Sequence, residues 1–540
     1  VGWPDGVAGR GQFDSLMDVP WRKRPLIDWP ATLPLGDGSL SGWTEAPLPA
    51  RGWAQPKRHA VVDAVSRQYA KCGLEPPIEH LAHSDSRVAV SGHQLLVAGG
   101  VGLFHHKIWS TIAVAKTLSV QWGVPVVPVH WMATEDHDFV EISTLHGTSK
   151  AHRWQSPYGQ QSMPVGLLPL DGLEATLEAW LVDGALPVDS PDAQTMKAHL
   201  TAAIEANEKF SDLMRRWLHA WYGHHGLVVL DANDPSLKAL ASPLWAAEMK
   251  GEGLSTCVEP GAVHVRDNQI FWLGEEGRVG MVPGEEPGSW QAGDQRWPAL
   301  DSGWEEWSAA HAAQCSPGVL LRPLYQEWLL ESAAVVVGPS EWKYWLQTQP
   351  GFEKHGLTFP SLRLRDHVVW LPQVALALGW GLSDGWLNAD RWSQWVLDRW
   401  MKEHEATEEQ AMAQAQRWRG QMQTWSAEVA PNLDGPTGAL FAQVDKAMAT
   451  WKKKVRRGLK AHRQKQWEAA ALAGALLVRD GMPQDRWLNA HAMVAAWAEE
   501  QGTSISLDEA FLQWLALAEG DLEPHVWKLY SPRTTPLMKC

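Results

Sequence analysis

The chain has 540 residues, of which 45% are hydrophobic and 20% are charged, and its formal net charge at pH 7 is -15. A chain of this length exceeds one ordinary hydrophobic core, so we expect two or three domains. The negative charge argues against a nucleic-acid partner, because neutralising phosphates needs a broad basic face.

The cysteines, the apolar runs and the tryptophans also bear on the class of protein and on its cellular location. The 4 cysteines lack CxxC spacing, which excludes a disulfide scaffold and favours a reducing compartment. We see no signal peptide and no apolar run of the roughly 18 residues that a membrane span needs, so we expect a cytoplasmic protein without a membrane partner. The 35 tryptophans often fall at helical spacing, and we expect them to fill core positions.

The first predicted elements precede and open the core. Residues 1–86 are rich in Pro, Gly and Trp and are predicted to wrap the core, with one helix near 57–72. An apolar strand at Val88–Val90 then meets a glycine-rich loop that opens a helix, and a second apolar run covers Val124–Met132. This strand–helix–strand unit predicts two parallel strands whose carboxyl ends share one edge of a sheet.

Further elements extend the core to residue 385. Helical spacing covers 174–181 and 193–222 inside a helical insert at about 145–222, and alternating apolar residues predict a β-rich insert at about 253–304. Apolar runs at Gly226–Leu230 and Ala333–Val337 also end in turn signals. We expect these four strands side by side in one sheet of the α/β class.

The last third of the chain reads as helical. Apolar residues recur every three or four positions from Ala411 to Val429 and from Phe441 to Val455, and the breaker 431–436 separates the two stripes. We predict an antiparallel hairpin or coiled coil over 386–480, followed by a helical segment and tail, 481–540, that pack back on the core. An exposed stripe of this kind favours self-association, whereas an intramolecular helical cap is the alternative.

Two polar turns are the candidate site. Ser91, Gly92, His93 and Gln94 follow the first strand, and Glu135, Asp136, His137 and Asp138 follow the second. Glycine lets backbone N–H groups approach an anion, carboxylates hold Mg²⁺ or an ammonium, and histidine transfers protons.

Each of these features has a plainer interpretation. Lys107 alone is more typical of an exposed helix lysine than of a phosphate ligand. Asp136 or Asp138 is as well explained as a helix N-cap. The adjacent pairs His105-His106 and His224-His225 diverge if they lie on a helix, so no metal site is predicted.

The motif SGHQL, followed by GG and KI, and the motifs VPVHWMATEDHDFVEI, RPLYQE and VVVGPSEWKYW together resemble the BshC family, the cysteine-adding enzymes of bacillithiol biosynthesis, in Bacteroidetes-like form. The resemblance implies a Rossmann-like parallel-sheet core with inserts, an antiparallel α-helical coiled-coil domain and a homodimer formed through it. It also implies a ligase that joins cysteine to glucosaminyl-malate, with ATP or ADP as the nucleotide. The sequence does not decide whether the nucleotide lies in the crevice or against the coiled coil.

Site residues follow from the positions that match these motifs and from the turns beside them. The resemblance, with the turn chemistry, assigns catalysis to His93, Glu135, Asp136, His137 and Asp138; cofactor binding to Ser91, Gly92, Gln94, Gly100, Lys107, Gly338 and Ser340; and substrate binding to Arg322, Glu341 and Tyr344. We expect the glycine-loop N–H groups, His93 and Lys107 to stabilise phosphate, Glu135 or Asp136 to hold Mg²⁺ or the ammonium of cysteine, His137 or Asp138 to act as base, and Arg322 to pair with malate.

The chain departs from the family pattern at Ala98–Val101, at His106 and at Pro339-Ser340, which bears on the shape of the pocket. Two other functions stay open at this stage. One is a nucleotide-dependent transferase or ligase with another amine acceptor, and the other is a non-catalytic dimeric scaffold that binds nucleotide.

Overall fold

The computed structural model describes most of the chain, and its contacts divide the protein into two compact units. One unit comprises residues 1–371 and 484–533, and the other comprises 372–483 and 534–540. The described residues are 21–25, 53–147, 150–159, 161–184, 186–300, 303–371, 392–479, 482–500, 504–522 and 525–530.

A five-stranded parallel sheet forms the centre of the larger unit. Its order is β5-β4-β1-β2-β3, so the chain runs outward in one direction from β1 and then returns to β4 on the other side. This is the doubly wound order, whose switch point lies between β1 and β4. The strands are β1 (Arg87–His93), β2 (Val126–Met132), β3 (Val228–Asp231), β4 (Ala334–Val337) and β5 (Ser361–Leu364).

The four predicted strands are confirmed as neighbours, and β5 is the strand that the sequence missed. Its residues alternate apolar and polar types, yet all four are buried. Arg363 is buried because its guanidinium donates to the Leu522 carbonyl and to Asp366 at 2.7 Å each. A search for apolar runs overlooks a strand whose arginine is satisfied inside the core.

The helix α1 (Gly102–Trp122) packs against the sheet through Val114, Ala115 and Leu118. It ends at Gly123, whose φ of 66° is the left-handed conformation that favours glycine after a helix. Other helices of this unit are Gln55–Lys71, Phe139–Ile142, Leu173–Val182, Pro191–Glu205, Phe210–Tyr222, Pro235–Leu240, Ser242–Met249, Trp304–His311, Leu321–Leu330, Pro339–Gln347, Gln349–Lys354, Gln484–Trp487, Ala490–Glu500 and Leu507–Ala518.

The single helix predicted over 193–222 was wrong, because two helices occupy this stretch. Asn207 interrupts them with a φ of 51°, a conformation that a helix interior excludes. The second helix then begins with a capping interaction in which the Lys209 N–H donates to Asp212 at 3.1 Å.

Smaller sheets accompany the core. The insert predicted at about 253–304 contributes to two antiparallel sheets, whereas His367–Leu371 pairs in parallel with His525–Tyr530. Tryptophan fills much of the interior, as the sequence predicted, and eight indole side chains are among the largest fully buried groups. The additional strands are Trp21–Pro25, Thr144–His146, Ala151–Arg153, Ile270–Gly274, Gly277–Gly280, Val282–Pro283, Trp290–Ala292, Gln295–Trp297, Cys315–Pro317, His367–Leu371 and His525–Tyr530.

The second unit is helical, with helices Trp392–Lys402, Glu405–Val429, Asp434–His462 and Gln464–Leu477, and two short strands, Val478–Arg479 and Met482–Pro483. The two long helices pack through Trp418 and Phe441, whose rings lie 5.6 Å apart, and through an Arg419–Asp445 ion pair of 2.7 Å. The predicted break over 431–436 is shorter in the structure, because the second helix begins at Asp434. Pro436 therefore lies in its first turn, where proline is tolerated.

None of the helices described in either unit is both long enough and apolar enough to cross a bilayer.

Candidate active site

A cavity of about 840 Å³ lies at the carboxyl edge of the sheet, where β1 and β4 diverge. The ends of β1, β2 and β4 contribute to its wall, together with α1, the Leu321–Leu330 helix and the β-rich insert. The predicted residues that line it are Gly92, His93, Gln94, Lys107, Glu135, Asp136, Arg322, Gly338, Ser340, Glu341 and Tyr344. The two polar turns therefore share one cleft, and the Gln94 amide donates directly to Asp136.

One side of the cavity, which we call the Lys107 corner, is built around an ion pair between the buried Lys107 and the partly exposed Glu341. Lys107 Nζ also donates to the Gly92 carbonyl at 2.7 Å, and Glu341 accepts the Gly338 N–H at 2.6 Å. Burial opposes ionisation of Glu341, but Lys107 and Arg322 hold its pKa below the usual range. Lys107 is thus a fixed part of the wall, and its interpretation as an exposed lysine was wrong.

Arg322 completes this corner. It donates to Tyr344 Oη at 3.2 Å and to Gln326 Oε1 at 3.0 Å. A Cβ at Gly92 would lie 3.1 Å from Arg322 Nη1, so the strand end approaches the guanidinium as closely as glycine allows. Burial raises the pKa of Tyr344 to about 12, so its hydroxyl stays protonated. Three elements of the fold therefore hold one guanidinium toward the cavity.

The opposite side, the Glu135 corner, contains two carboxylates with separate cationic partners. Glu135 pairs with Lys238, whose side chain is 0% exposed and also donates to the Ala313 carbonyl at 3.2 Å. Asp136 accepts from Gln94 and from the His137 N–H, and its Oδ1 lies 3.7 Å from Arg278 Nη1. Neither carboxylate is an isolated negative charge.

Arg278 is held in place by the β-rich insert and its neighbouring strand. Its Nε donates to Ser316 Oγ at 3.0 Å and its Nη2 donates to the Pro317 carbonyl at 2.9 Å. The guanidinium also stacks on Phe271, 4.1 Å from the ring centroid. The insert thus contributes a fixed cation to the cavity wall.

His93 stands at the end of β1, between the two corners. Its Nδ1 lies 3.1 Å from the Gln94 carbonyl, which can only accept, so Nδ1 carries the proton. Burial, and then the nearby Lys107 charge, lower the pKa of His93 to about 4. His93 is therefore neutral at physiological pH, and Nε2 has a free lone pair that can accept a proton.

Basic side chains outnumber acidic ones around the cavity, six to four, although the whole chain is acidic. Arg266 and Arg486 line it without forming an ion pair to any described residue, and Arg266 stacks on Phe271 at 4.8 Å. Arg365, by contrast, pairs with Asp485 at 3.2 Å. The cavity therefore favours an anionic ligand.

Four predicted site residues do not line the cavity. Ser91 is buried in β1, and His137 is partly exposed beside Asp136. Asp138 instead caps the Phe139–Ile142 helix by accepting the Glu141 N–H at 3.1 Å, as the structural alternative predicted. Gly100 lies in the turn before α1.

That turn is covered by another part of the chain. The Asn489 side-chain amide donates to the carbonyls of Ala98 and Gly100 at 3.0 and 2.7 Å, and the Gly102 N–H donates to the Leu488 carbonyl at 2.9 Å. The N-terminus of α1 therefore faces protein rather than the cavity, and it is not the phosphate cradle that the glycine spacing suggested.

Sequence reasoning missed Lys238, Arg266, Arg278, Arg365 and Arg486. Each comes from an element without a recognisable motif. Only the tertiary structure brings the four arginines to the cavity and places Lys238 behind Glu135. Two of the departures from the family pattern lie away from the cavity. Ala98–Val101 and His106 belong to the covered region, where His106 Nδ1 accepts the Val368 N–H at 3.3 Å, whereas Pro339 and Ser340 do line the cavity.

The strand order defines a Rossmann-like α/β protein with a cavity at the switch point of its sheet. The model of the family described as "Bacillithiol biosynthesis BshC, N-terminal Rossmann-like domain" matches residues 48–366. The chain belongs to the BshC family.

Several curated relatives bear the name "Putative cysteine ligase BshC". The protein of Flavobacterium johnsoniae is 28% identical over 332 residues, which cover 58% of this chain and 60% of the relative. That of Salinibacter ruber is 28% identical over 380 residues, 66% of each chain. That of Staphylococcus carnosus is 25% identical over 305 residues, 53% of this chain and 56% of the relative. The chain thus spans about 60% of the length of the first of these relatives.

Proposed function

We propose that this chain is a ligase that joins the carboxylate of cysteine to the amine of glucosaminyl-malate, forming bacillithiol in the cytoplasm with ATP as the activating nucleotide. The observation that carries the proposal is the neutral His93 between a cation-rich corner and a carboxylate corner of one cavity. Such a ligase must bind anionic groups, hold an amino acid and remove a proton from an amine.

The cation-rich wall suits the anionic groups. Arg266 and Arg486 have no intramolecular ion pair among the described residues, so they are the groups we assign to phosphate oxygens. Arg322 is preorganised by Tyr344 and Gln326 and keeps donors for a carboxylate of malate. ATP supplies the phosphoryl or adenylyl group that activates the cysteine carboxylate.

The Glu135 corner suits the ammonium of cysteine. Asp136 has the looser cation, Arg278 at 3.7 Å, and its carboxylate is 30% exposed, so it is the group we assign to the ammonium. Glu141 also lines this side, and burial raises the pKa of its carboxyl. Glu135 pairs with Lys238, so we assign it no contact with the ammonium; it influences Asp136 only through its negative charge.

These carboxylates do not fit a resident Mg²⁺ ion. Mg²⁺ requires oxygen ligands in near-ideal octahedral geometry. Glu135 already pairs with Lys238, and Asp136 accepts from Gln94 and the His137 N–H, so the two carboxylates leave few free oxygens for a six-coordinate ion. Any Mg²⁺ in the reaction is therefore assigned to the nucleotide, as part of the substrate.

His93 is the residue to which we assign the proton transfer. The nitrogen of glucosaminyl-malate attacks the activated carbonyl carbon, the new C–N bond forms, and the C–O bond to the phosphate or AMP leaving group breaks. The proton of that nitrogen passes to His93 Nε2, while Nδ1 remains bound to the Gln94 carbonyl. This role replaces the expected contact of His93 with phosphate, because Nε2 of this tautomer accepts rather than donates.

The test is a reconstitution with purified protein, ATP, Mg²⁺, cysteine and glucosaminyl-malate, in which the thiol product is measured by mass. We expect His93→Gln to reduce turnover roughly 100-fold or more. His264→Gln, which alters an exposed histidine at the rim of the same cavity, is the control and should retain most of the activity.

The outcomes separate the competing functions. Absence of product with the wild-type chain, despite saturable ATP binding, would support a non-catalytic scaffold. Turnover of ATP with another amine would support a different ligase or transferase. Wild-type activity in His93→Gln would remove the assigned base while leaving the ligase proposal intact.

We further propose that two copies associate through a coiled coil formed by the long helices. Trp418, Trp425 and Trp451 lie on the predicted heptad stripes and are 43%, 58% and 50% exposed. Exposed tryptophans at such spacing form an apolar surface suited to a second copy. Sedimentation equilibrium should show a dimer that Trp425→Lys weakens and Gln423→Lys, on the same helix, leaves unchanged; equal dimerisation of both variants would contradict this surface.

A further inference from the structure

Two adjacent histidines and a remote aspartate converge outside the cavity. His224 and His225 lie in the 3-10 turn Gly223–His225 that follows the Phe210–Tyr222 helix, and Asp508 lies in the first turn of the Leu507–Ala518 helix. Their potential ligand atoms all lie within 4.8 Å of one another. The expectation that adjacent histidines diverge applies to an α-helix, and it was wrong for this turn.

Both imidazoles point at one carboxylate oxygen. His224 Nε2 and His225 Nε2 lie 3.1 and 2.7 Å from Asp508 Oδ1, and the two ring centroids are 3.9 Å apart. Ligand atoms bound tetrahedrally to one metal at ~2.1 Å lie roughly 3.4 Å from each other, so shifts of about 1 Å bring all three onto one ion.

The ligand set selects the kind of metal. Two imidazole nitrogens with one carboxylate oxygen suit zinc and neighbouring transition metals, whereas Mg²⁺ and Ca²⁺ prefer oxygen ligands only. We propose that His224, His225 and Asp508 form a binding site for one divalent transition-metal ion, of which Zn²⁺ is the probe of choice. The proposal is independent of the ligase function, because none of these residues lines the cavity.

The surroundings leave one side of this His–His–Asp site open and fix the other. His224 is 52% exposed and Asp508 is 31% exposed, so water can complete the coordination. The His225 side chain is 8% exposed, and its ring packs edge-on against Phe511 at a centroid distance of 4.8 Å. The site would therefore join the end of one helix to the start of another that is remote in sequence.

The charges around the site also bear on metal affinity. Asp508 is the negative charge that both imidazoles face. Lys116 is a positive charge near His225 and reduces the attraction for a cation.

Zinc titration of the chelator-treated full chain tests the proposal. We expect the wild type to bind one more Zn²⁺ per chain than His224→Ala or Asp508→Asn, and to show no matching uptake of Mg²⁺. His59→Ala, which removes an exposed histidine elsewhere, should bind zinc as the wild type does. With Zn²⁺ at one hundred times its Kd, the Tm of the wild type should rise by about 3 °C, and this rise should be absent from both variants.

The choice of variants keeps the result interpretable. His224 is substantially exposed, and Asp508→Asn retains the size of the side chain, so both variants should fold; circular dichroism checks this. Equal zinc stoichiometry in the wild type and both variants, or no zinc uptake by the wild type, overturns the site. Cobalt in place of zinc gives a second readout, because a site with two histidine ligands changes the visible Co²⁺ spectrum.

Discussion

At the Lys107 corner of the cavity, both members of the central ion pair belong to motifs visible in the sequence, whereas at the Glu135 corner only the carboxylates do. Lys107 pairs directly with Glu341, and Arg322 is a second positive charge near the same carboxylate. At the Glu135 corner, Lys238 and Arg278 come from elements without a motif, and each lies beside a different carboxylate.

This difference indicates how each corner responds to ligand. The Lys107 corner is a closed network whose groups already hold one another, so a ligand there meets preorganised donors. The Glu135 corner has a tight pair and a loose pair, and the loose one, Asp136 with Arg278, can exchange its partner for a substrate ammonium. Separate removal of charges from the two corners should therefore have unequal effects.

The largest effect is expected for Glu341→Gln, which leaves Lys107 buried without its anion. We expect the free energy of unfolding to fall by about 3–5 kcal/mol, measured by urea denaturation. Glu331→Gln in the partly exposed Lys57–Glu331 pair is the matched control and should cost less than about 1 kcal/mol. If Lys107→Met combined with Glu341→Leu is no more stable than Glu341→Gln, the unpaired lysine is not the cause.

A smaller loss is expected for Lys238→Met. Glu135 then loses its closest cation, but its carboxylate lines the cavity, where water can reach it, and Arg278 is near. We expect a loss of about 1–3 kcal/mol in urea denaturation. Lys250→Met, which removes the cation of an exposed pair with Glu305, should have little effect. A loss as large as that of Glu341→Gln would remove the proposed contrast.

We expect the stability of the protein to depend on pH through His130, which is buried near His93 and Lys107. Burial, and then His93 and Lys107, lower the pKa of His130 to about 3 in the folded protein, against an ordinary value of 6.5. Between these pH values the unfolded chain binds the extra proton, so stability falls as the pH falls from 6.5 toward 3, by up to about 1.4 kcal/mol per pH unit from this residue.

The variant His130→Leu should show a shallower acid dependence than the wild type, with the two curves parallel above pH 7. Urea denaturation at a series of pH values measures the slopes. Identical slopes for both proteins below pH 6.5 would mean that His130 does not keep a lowered pKa.

The smallest effect is expected for Gly92→Ala. The new methyl group would lie 3.1 Å from Arg322 Nη1, so the guanidinium must shift by a few tenths of an ångström. We expect a change below about 1 kcal/mol in stability and a few-fold weaker binding of the malate-bearing substrate, measured by calorimetry, with cysteine binding unchanged. Equal weakening of both substrates would argue against separate corners.

The sequence allowed the core of the fold to be predicted for a clear reason. Short apolar runs such as Val88–Val90 and Val124–Met132, bounded by turn signals, predict buried strands, and right-handed crossovers fix the edge at which His93 and Asp136 meet. The strand β5 escaped because its buried arginine breaks the apolar pattern. The separate helices at 191–205 and 210–222 escaped because one left-handed asparagine divides a stretch of uniform helical spacing.

The sequence by itself determined the parallel sheet, the polar turns at its carboxyl edge and the helical character of the last third, because periodicity and chain chirality are local properties. Only the tertiary structure decided which charges pair, that segment 484–489 covers the N-terminus of α1, and that His93 is neutral with Nε2 free. Ion pairing, burial and tautomer depend on groups that lie far apart in the chain, such as Glu135 with Lys238 or His225 with Asp508. No local sequence pattern predicts which of these remote residues will pair.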